Sequence, residues 1–199
     1  MRPVQRRIAI VGAGTAGAAA ALFLTRQGHT VTLYERVPKP GPVGAGIMLQ
    51  PTGLEVLRRL GLSETVLART APVNQLLCER TAGHTVFNLR YDALRPGLTG
   101  HGLHRGVLFQ TLFNACLNQG IPIHTGVEIE GIERSNDTIS CVTSSGDTLE
   151  QHDLVVVADG AVSELRDDTT IRKQVTTYPW GALWFVAKDI EIPRLTVHP

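Results

Sequence analysis

Three glycines and one carboxylate carry the chemistry most legible in this chain. In "RRIAIVGAGTAGAAAALFLTRQGHTVTLYE", Gly12, Gly14 and Gly17 have the spacing G-x-G-x-x-G, with Ala16 beside the last of them, and Glu35 stands 23 residues after Gly12. That set suits a diphosphate. The first glycine permits a tight turn, the second lets a pyrophosphate approach the backbone, and the third lets a helix pack closely on a strand. Free amides at the helix start meet the phosphates with the positive end of the helix dipole. A carboxylate at the end of the next strand accepts bonds from a ribose diol. NAD and FAD share the same adenosine diphosphate, so this constellation alone leaves the dinucleotide open.

The elements that must position these residues follow from pattern. "RRIAIV" reads as a strand, "AGAAAALFLTRQG" as a helix closed by Gly28, with Ala18 to Ala21 keeping it thin, and "HTVTLYE" as a second strand. The uncharged run Ile8 to Leu24 after Arg6-Arg7 imitates a signal peptide. Its three glycines interrupt that helix, and it is too short for a comfortable membrane span. "RVPKPGPVGAGIMLQPTG" reads as an irregular Pro/Gly-rich loop rather than a third βα unit. A helix is predicted from Thr52, with Leu54, Leu57 and Leu60 on one face, then a short one capped by Ser63.

"NQLLCER" and "HTVFNLRY" form a predicted hairpin, followed by the loop "DALRPGLTGHG". "HRGVLFQTLFNACLNQG" is helical, with Leu108, Leu112 and Ala115 or Cys116 sharing a face and Gly120 ending it. Arg105 at its start opposes the helix dipole unless it holds an anion, the alternative being a solvated surface arginine. "IPIHTG", "VEIEGIER", "TISCVTS" and "TLEQHDLVVVADG" read as a β-meander returning to a parallel sheet. The stretch "DLVVVADGAVSELR" reads as a buried strand running into Asp159-Gly160. Beside a dinucleotide crevice the acid is an acceptor for ribose or for pyrophosphate-bound water, and the glycine permits close backbone approach. A plain Asp-Gly turn is the alternative.

Composition narrows the partners. With 199 residues, 43% hydrophobic, 19% charged and a net charge of +1, the chain has no electrostatic footprint for nucleic acid or for an anionic membrane. Cys78, Cys116 and Cys141 form no C-x-x-C pair, so neither a zinc site nor a disulfide framework is indicated, and a reducing cytoplasm is the expected location. His101 and His104 lack an acidic or cysteine partner spaced to complete a metal site.

Taken together, Gly12, Gly14, Gly17 and Glu35, the "GAGI" of 44–47, "HRGVLFQTL" and "DLVVVADGAVSELR" resemble the class A FAD-dependent monooxygenases, the aromatic hydroxylases similar to para-hydroxybenzoate and salicylate hydroxylases. The resemblance implies an α/β chain with a Rossmann-like, glutathione-reductase-type FAD-binding domain containing a β-meander, over 1–72 and 100–175. It adds an incomplete antiparallel substrate-domain sheet over 73–99 and 176–199. "TTYPWGALWFVAKDIEIP" is then that sheet's first strand, paired with the 75–91 hairpin, with Trp180, Trp184 and Phe185 partly exposed.

The residues implied at FAD are Gly12, Gly14, Ala16, Gly17, Glu35, Arg36, Gly46, Ile47, Arg105, Val127 through its backbone at the adenine, Asp159 and Gly160. Ser163 and Arg166 match the part of the D-G stretch that serves flavin and NAD(P)H. The implied reaction uses NADH or NADPH and O2, through a flavin hydroperoxide, to hydroxylate a small aromatic substrate. No nucleophile, base or metal ligand is nominated. The family's later Gly-Asp stretch is missing from this sequence, so a fragment is expected. A catalytically inactive or truncated FAD-binding module and a related flavin reductase or halogenase are the alternatives, whereas an NAD-dependent dehydrogenase is disfavoured by the meander.

Overall fold

The computed structural model describes residues 4–42, 44–80, 83–168, 172 and 174–181. In chain order β1 (Arg7–Val11), α1 (Thr15–Arg26) and β2 (Thr30–Glu35) come first. Next are β3 (Gly46–Leu49), α2 (Pro51–Arg59), α3 (Ser63–Leu67), β4 (Ala71–Val73), β5 (Gln75–Glu79) and β6 (Thr85–Arg90). Then follow β7 (Gly100–His104), α4 (Arg105–Asn118), β8 (Ile123–Thr125), β9 (Ile129–Ser135), β10 (Thr138–Thr143), β11 (Thr148–His152) and β12 (Leu154–Val157). The chain divides into two compact units, one within 1–41 and 112–181 and the other built on 42–111, so the boundary falls inside α4.

The first unit holds a parallel sheet in the order β12-β1-β2-β8. Ile8, Ala9 and Ile10 of β1 are almost fully buried, as the continuous apolar run of a strand covered on both faces requires. α1 buries Gly17, Ala18, Ala21 and Leu22. The Cys116 thiol of α4 reaches the Ala18 carbonyl at 3.5 Å, which the small alanine side chains permit. α1 stops where predicted. Gly28 takes φ +88°, and the amides of Gly28 and His29 return to the carbonyls of Thr25 and Leu24, so the last turn's acceptors are satisfied. β9, β10 and β11 form an antiparallel meander, but "IPIHTG", expected as its first strand, gives β8 of the parallel sheet, paired with β2 through Leu33↔Ile123 and Glu35↔Thr125. Cys141, Ile129, Tyr34, Val11, Ala9 and Leu165 close one core beneath it.

Two further expectations for this unit change. "TLEQHDLVVVADG" is not one strand: it breaks at Asp153, whose amide donates to the Arg7 carbonyl and whose Oδ2 accepts from the Arg7 amide. That reciprocal pair turns the chain out of the meander into the parallel sheet. Nor is β12 buried, since Leu154 is 42% and Val157 36% exposed. β12 lies at the sheet edge, with β1 as its one strand partner among the described residues. A run of valines therefore reports β propensity here, not enclosure.

The second unit contains strands that were expected as loops. β3 and β4 both pair antiparallel with β7, in register Gly46↔His104 and Val73↔Gly100. The Pro/Gly-rich stretch is thus ordered at 46–49 and "DALRPGLTGHG" at 100–102, because each supplies a ladder for the other. The buried Tyr91 ring lies where a Cβ on Gly100 would come within 2.8 Å, and its hydroxyl donates to Gln50 Oε1 at 2.8 Å. On α2 and just after it Leu57 and Leu60 are buried and Leu54 half-buried, as the periodicity predicts. Ser63 is the first residue of α3 rather than its cap, which is Leu62.

The β5–β6 hairpin forms as expected, placing Leu76, Cys78, Phe87 and Leu89 on one face through the pairs Leu76↔Leu89 and Cys78↔Phe87. Residues 174–181 carry no regular element and Trp180 is 75% exposed. Trp184, Phe185 and the rest of the predicted last strand lie outside the described residues.

Candidate functional site

The glycine loop is built by contacts that only glycine allows. β1 ends at Val11, and Gly12 turns the chain at φ +97° while its amide donates to the Tyr34 carbonyl at 2.7 Å. A Cβ on Gly12 would sit 2.4 Å from the Ala158 oxygen and 3.0 Å from the Asp159 Cα. The exit of β12 therefore crosses directly over the first glycine, held by the Ala158 amide on the Val11 carbonyl at 2.8 Å. A Cβ on Gly17 would meet the Gly12 oxygen at 1.8 Å, so α1 leaves the turn with no room for a side chain.

Gly14 is different. It caps α1 in an extended conformation at φ −68° and ψ −172°, and a Cβ there would meet nothing within 4 Å among the described residues. No side chain among the described residues caps this end, and the first turn, which includes Ala16, has no acid. Its first amides thus have no side-chain acceptor among the described residues, with the positive end of a twelve-residue helix dipole behind them. That is the environment a pyrophosphate needs, so the residues fit a dinucleotide.

Glu35 ends β2 half-buried, with Oε2 accepting the Ala13 amide at 2.8 Å and Oε1 the Val37 amide at 2.9 Å. Its carbonyl accepts the Val127 amide at 3.0 Å, which brings Val127 to the end of the same strand. Arg36 is exposed and lies 4.0 Å from Glu128, a separation at which a solvated ion pair contributes little. Beyond β12, Asp159 is half-buried and Gly160 takes φ +101°. Leu165 anchors the following turn in the core. The Arg166 guanidinium donates to the carbonyls of Ser163 at 3.0 Å and Ala161 at 3.1 Å, clamping its own loop. Ser163 Oγ is buried without a hydrogen-bond partner among the described residues.

Gly46, Ile47 and Arg105 belong to the second unit. Gly46 and Ile47 lie in β3, and the Arg105 amide donates to the Ala45 carbonyl at 2.9 Å. Gly44, at φ +103°, leaves a prospective Cβ 3.4 Å from Arg105 Cδ, so the "GAGI" backbone lies along that side chain. His104 Nδ1 accepts the Gly106 amide at 3.1 Å and caps the helix. His101 sits between the hydroxyls of Thr70 and Thr99, at 2.9 and 3.1 Å, and burial lowers its pKa. No group of three metal-ligating side chains occurs among the described residues.

One polar cluster under the site was not anticipated. Tyr34 stacks on His124 at 5.5 Å, meets His152 edge-on at 6.2 Å and reaches Glu150 at 3.4 Å. Burial, then the Glu150 charge, pushes the Tyr34 phenol up to about 12. Burial lowers the His152 pKa, against the Glu150 charge. The alternation of β2 could have signalled Tyr34, since it must face opposite to Glu35. His152 had no such sign.

A parallel sheet whose first crossover carries an open helix N-terminus, with a carboxylate at the end of the second strand, defines a dinucleotide-binding α/β protein. The chain belongs to the FAD-binding-domain family, whose model matches residues 5–198, and FAD is thus the dinucleotide that the first crossover leaves open. It is 30% identical to a kynurenine 3-monooxygenase of Salinispora arenicola, over 95% of this chain and 43% of that protein. With a 6-hydroxynicotinate 3-monooxygenase of Bordetella bronchiseptica it shares 29% identity over 81% of this chain and 42% of the relative. The tetrameric form of 2-methyl-3-hydroxypyridine-5-carboxylic acid oxygenase superimposes with a TM-score of 0.71 at 28% identity, over 85% of this chain and 43% of that one. The chain thus spans about two fifths of the length of these relatives. No helix among the described residues is long and apolar enough to cross a membrane.

Proposed function

We propose that this chain is the FAD-binding portion of an NAD(P)H-dependent monooxygenase that hydroxylates a small aromatic substrate with O2. The observation that carries the proposal is the open N-terminus of α1 behind Gly12, Gly14 and Gly17, with Glu35 and Val127 tied to the same strand end. Gly14, Ala16 and Gly17 would offer backbone amides to the pyrophosphate, Glu35 would accept the ribose hydroxyls, and the Val127 backbone would meet the adenine. Asp159 and Gly160 follow from the approach of β12 to Gly12. Arg36, Gly46, Ile47 and Arg105 join on the strength of the family resemblance. When bound, the flavin supplies the redox chemistry, taking reducing equivalents from NADH or NADPH and activating O2. The protein's part is to hold, orient and exclude water.

Domain limits of 1–72 with 100–175 for FAD, and 73–99 with 176–199 for a partial substrate domain, belong to the same proposal. Purification of the 199-residue chain without added cofactor, followed by an absorption spectrum and FAD titration, tests it. Flavin bands or saturable FAD binding are expected, whereas binding of NAD with no response to FAD would end the reading. NAD(P)H oxidation assayed with excess FAD and a panel of phenols and aromatic acids separates a competent enzyme from an FAD-binding module. We expect binding without hydroxylation by this chain alone, because the relatives' chains are more than twice as long.

A further inference from the structure

We infer that Glu35 is a positioning residue as well as a ribose acceptor: its carboxylate holds the phosphate loop in binding shape before a dinucleotide arrives. The inference rests on the reading above for the statement that this loop receives FAD.

The argument starts from where the loop's amides go. The β1 ladder ends at Val11, and the Gly12 amide is taken by the main-chain carbonyl of Tyr34. The helix's own bonding begins with the Ala18 amide on the Gly14 carbonyl. Ala13, fully buried, lies between these two ladders. A buried amide needs an acceptor, and the Glu35 Oε2 supplies it at 2.8 Å. Consecutive residues of β2 therefore hold consecutive amides of the loop, Tyr34 by its main chain and Glu35 by its side chain.

The other carboxylate oxygen fixes the Val37 amide, which sets the side chain's direction, and the Glu35 carbonyl fixes Val127. One residue thereby ties the phosphate loop, the turn after β2 and the segment before β9. Each ionised oxygen accepts about two hydrogen bonds, so these two amides leave capacity for ribose hydroxyls. Ribose capture and loop support are compatible in one side chain.

The test is amide hydrogen exchange in the cofactor-free, 15N-labelled 199-residue chain, compared among wild type, Glu35→Gln and Glu35→Ala. Exchange at Ala13 should accelerate roughly ten- to a hundredfold in Glu35→Ala. It should accelerate less in Glu35→Gln, which keeps one acceptor oxygen, while amides of β9 to β11 keep wild-type rates. If Glu35→Ala loosens the whole fold, Glu35→Gln carries the comparison. Wild-type exchange at Ala13 in the folded variants overturns the inference. FAD titration of the same samples separates the two roles. Weaker binding with unchanged exchange assigns Glu35 to the ribose alone and overturns the support role. Faster exchange with unchanged FAD affinity upholds that role and removes Glu35 from the cofactor's contacts.

Discussion

Arg105 shows how a single residue's setting limits what it can do. A cation at the first position of α4 opposes the helix dipole, and Arg105 stands there with its amide on the Ala45 carbonyl and its side chain passing Gly44. An anion is the natural counterpart. Arg105→Ala is expected to weaken FAD binding about ten- to a hundredfold, the range of one charge-assisted hydrogen bond. Arg105→Lys should recover part of that loss, because lysine lacks the planar fork that can grip two phosphate oxygens. Fluorescence titration of both variants decides the matter: full recovery by lysine would reduce the role to a point charge, and an unchanged alanine variant would remove Arg105 from the site. Arg166 is a contrast, since its guanidinium donates to two carbonyls of its own loop.

At the scale of the element, the turn from β1 into α1 assigns three different duties to three glycines. Gly12 is constrained by φ +97° and by Ala158 crossing over it, and Gly17 by the Gly12 carbonyl. Gly14 has an ordinary φ of −68° and open space in front. Alanine at 12 should therefore destabilise the fold by about 2 kcal/mol or more, combining left-handed strain with a backbone clash. Alanine at 17 should cost a similar amount through the clash alone. Alanine at 14 should cost less, roughly 0.5 to 1 kcal/mol, the difference between these residues at a helix N-cap, while lowering FAD affinity. Thermal unfolding and FAD titration of the three variants test the division. A Gly14→Ala protein with normal affinity would show that the cofactor does not approach the backbone there.

The whole molecule carries a pH dependence seated in the cluster of Tyr34, Glu150 and His152. Burial lowers the His152 pKa from its ordinary 6.5, so the folded chain resists a proton that the unfolded chain accepts. His152 thus contributes stability that is complete above pH 6.5 and is lost as the pH falls through its folded pKa. Tyr34 acts in the opposite direction: raised from 10.0 to about 12, it contributes stability that is present below pH 10 and lost as the pH rises toward 12. Melting temperatures across pH 5 to 8 should fall on the acid side in the wild type. His152→Leu should flatten that limb, leaving whatever slope the carboxylates impose. An unchanged acid slope would place the sensitivity elsewhere. Tyr34 also lends its carbonyl to the Gly12 amide, so loosening of this cluster should reach the glycine loop.

What the amino-acid sequence determined by itself is local. The turn at 12–17, the Gly28 cap, the buried face of α4 through Leu108, Leu112 and Cys116, and Glu35 at a strand end all appear where spacing placed them. Each depends on dihedral preferences and periodicities expressed within one or two turns of chain. Tertiary structure decided the rest. β3 and β7 are strands only because segments more than fifty residues apart pair, as the register Gly46↔His104 records. The valines of β12 leave edge and interior indistinguishable, since propensity does not count neighbours. Nothing local reveals that Ala158 lies on Gly12 or that Glu35 holds Ala13. Those contacts join residues whose side chains and carbonyls meet only after the parallel sheet has formed, and a hydrogen bond has no trace in sequence until its partner is brought within reach.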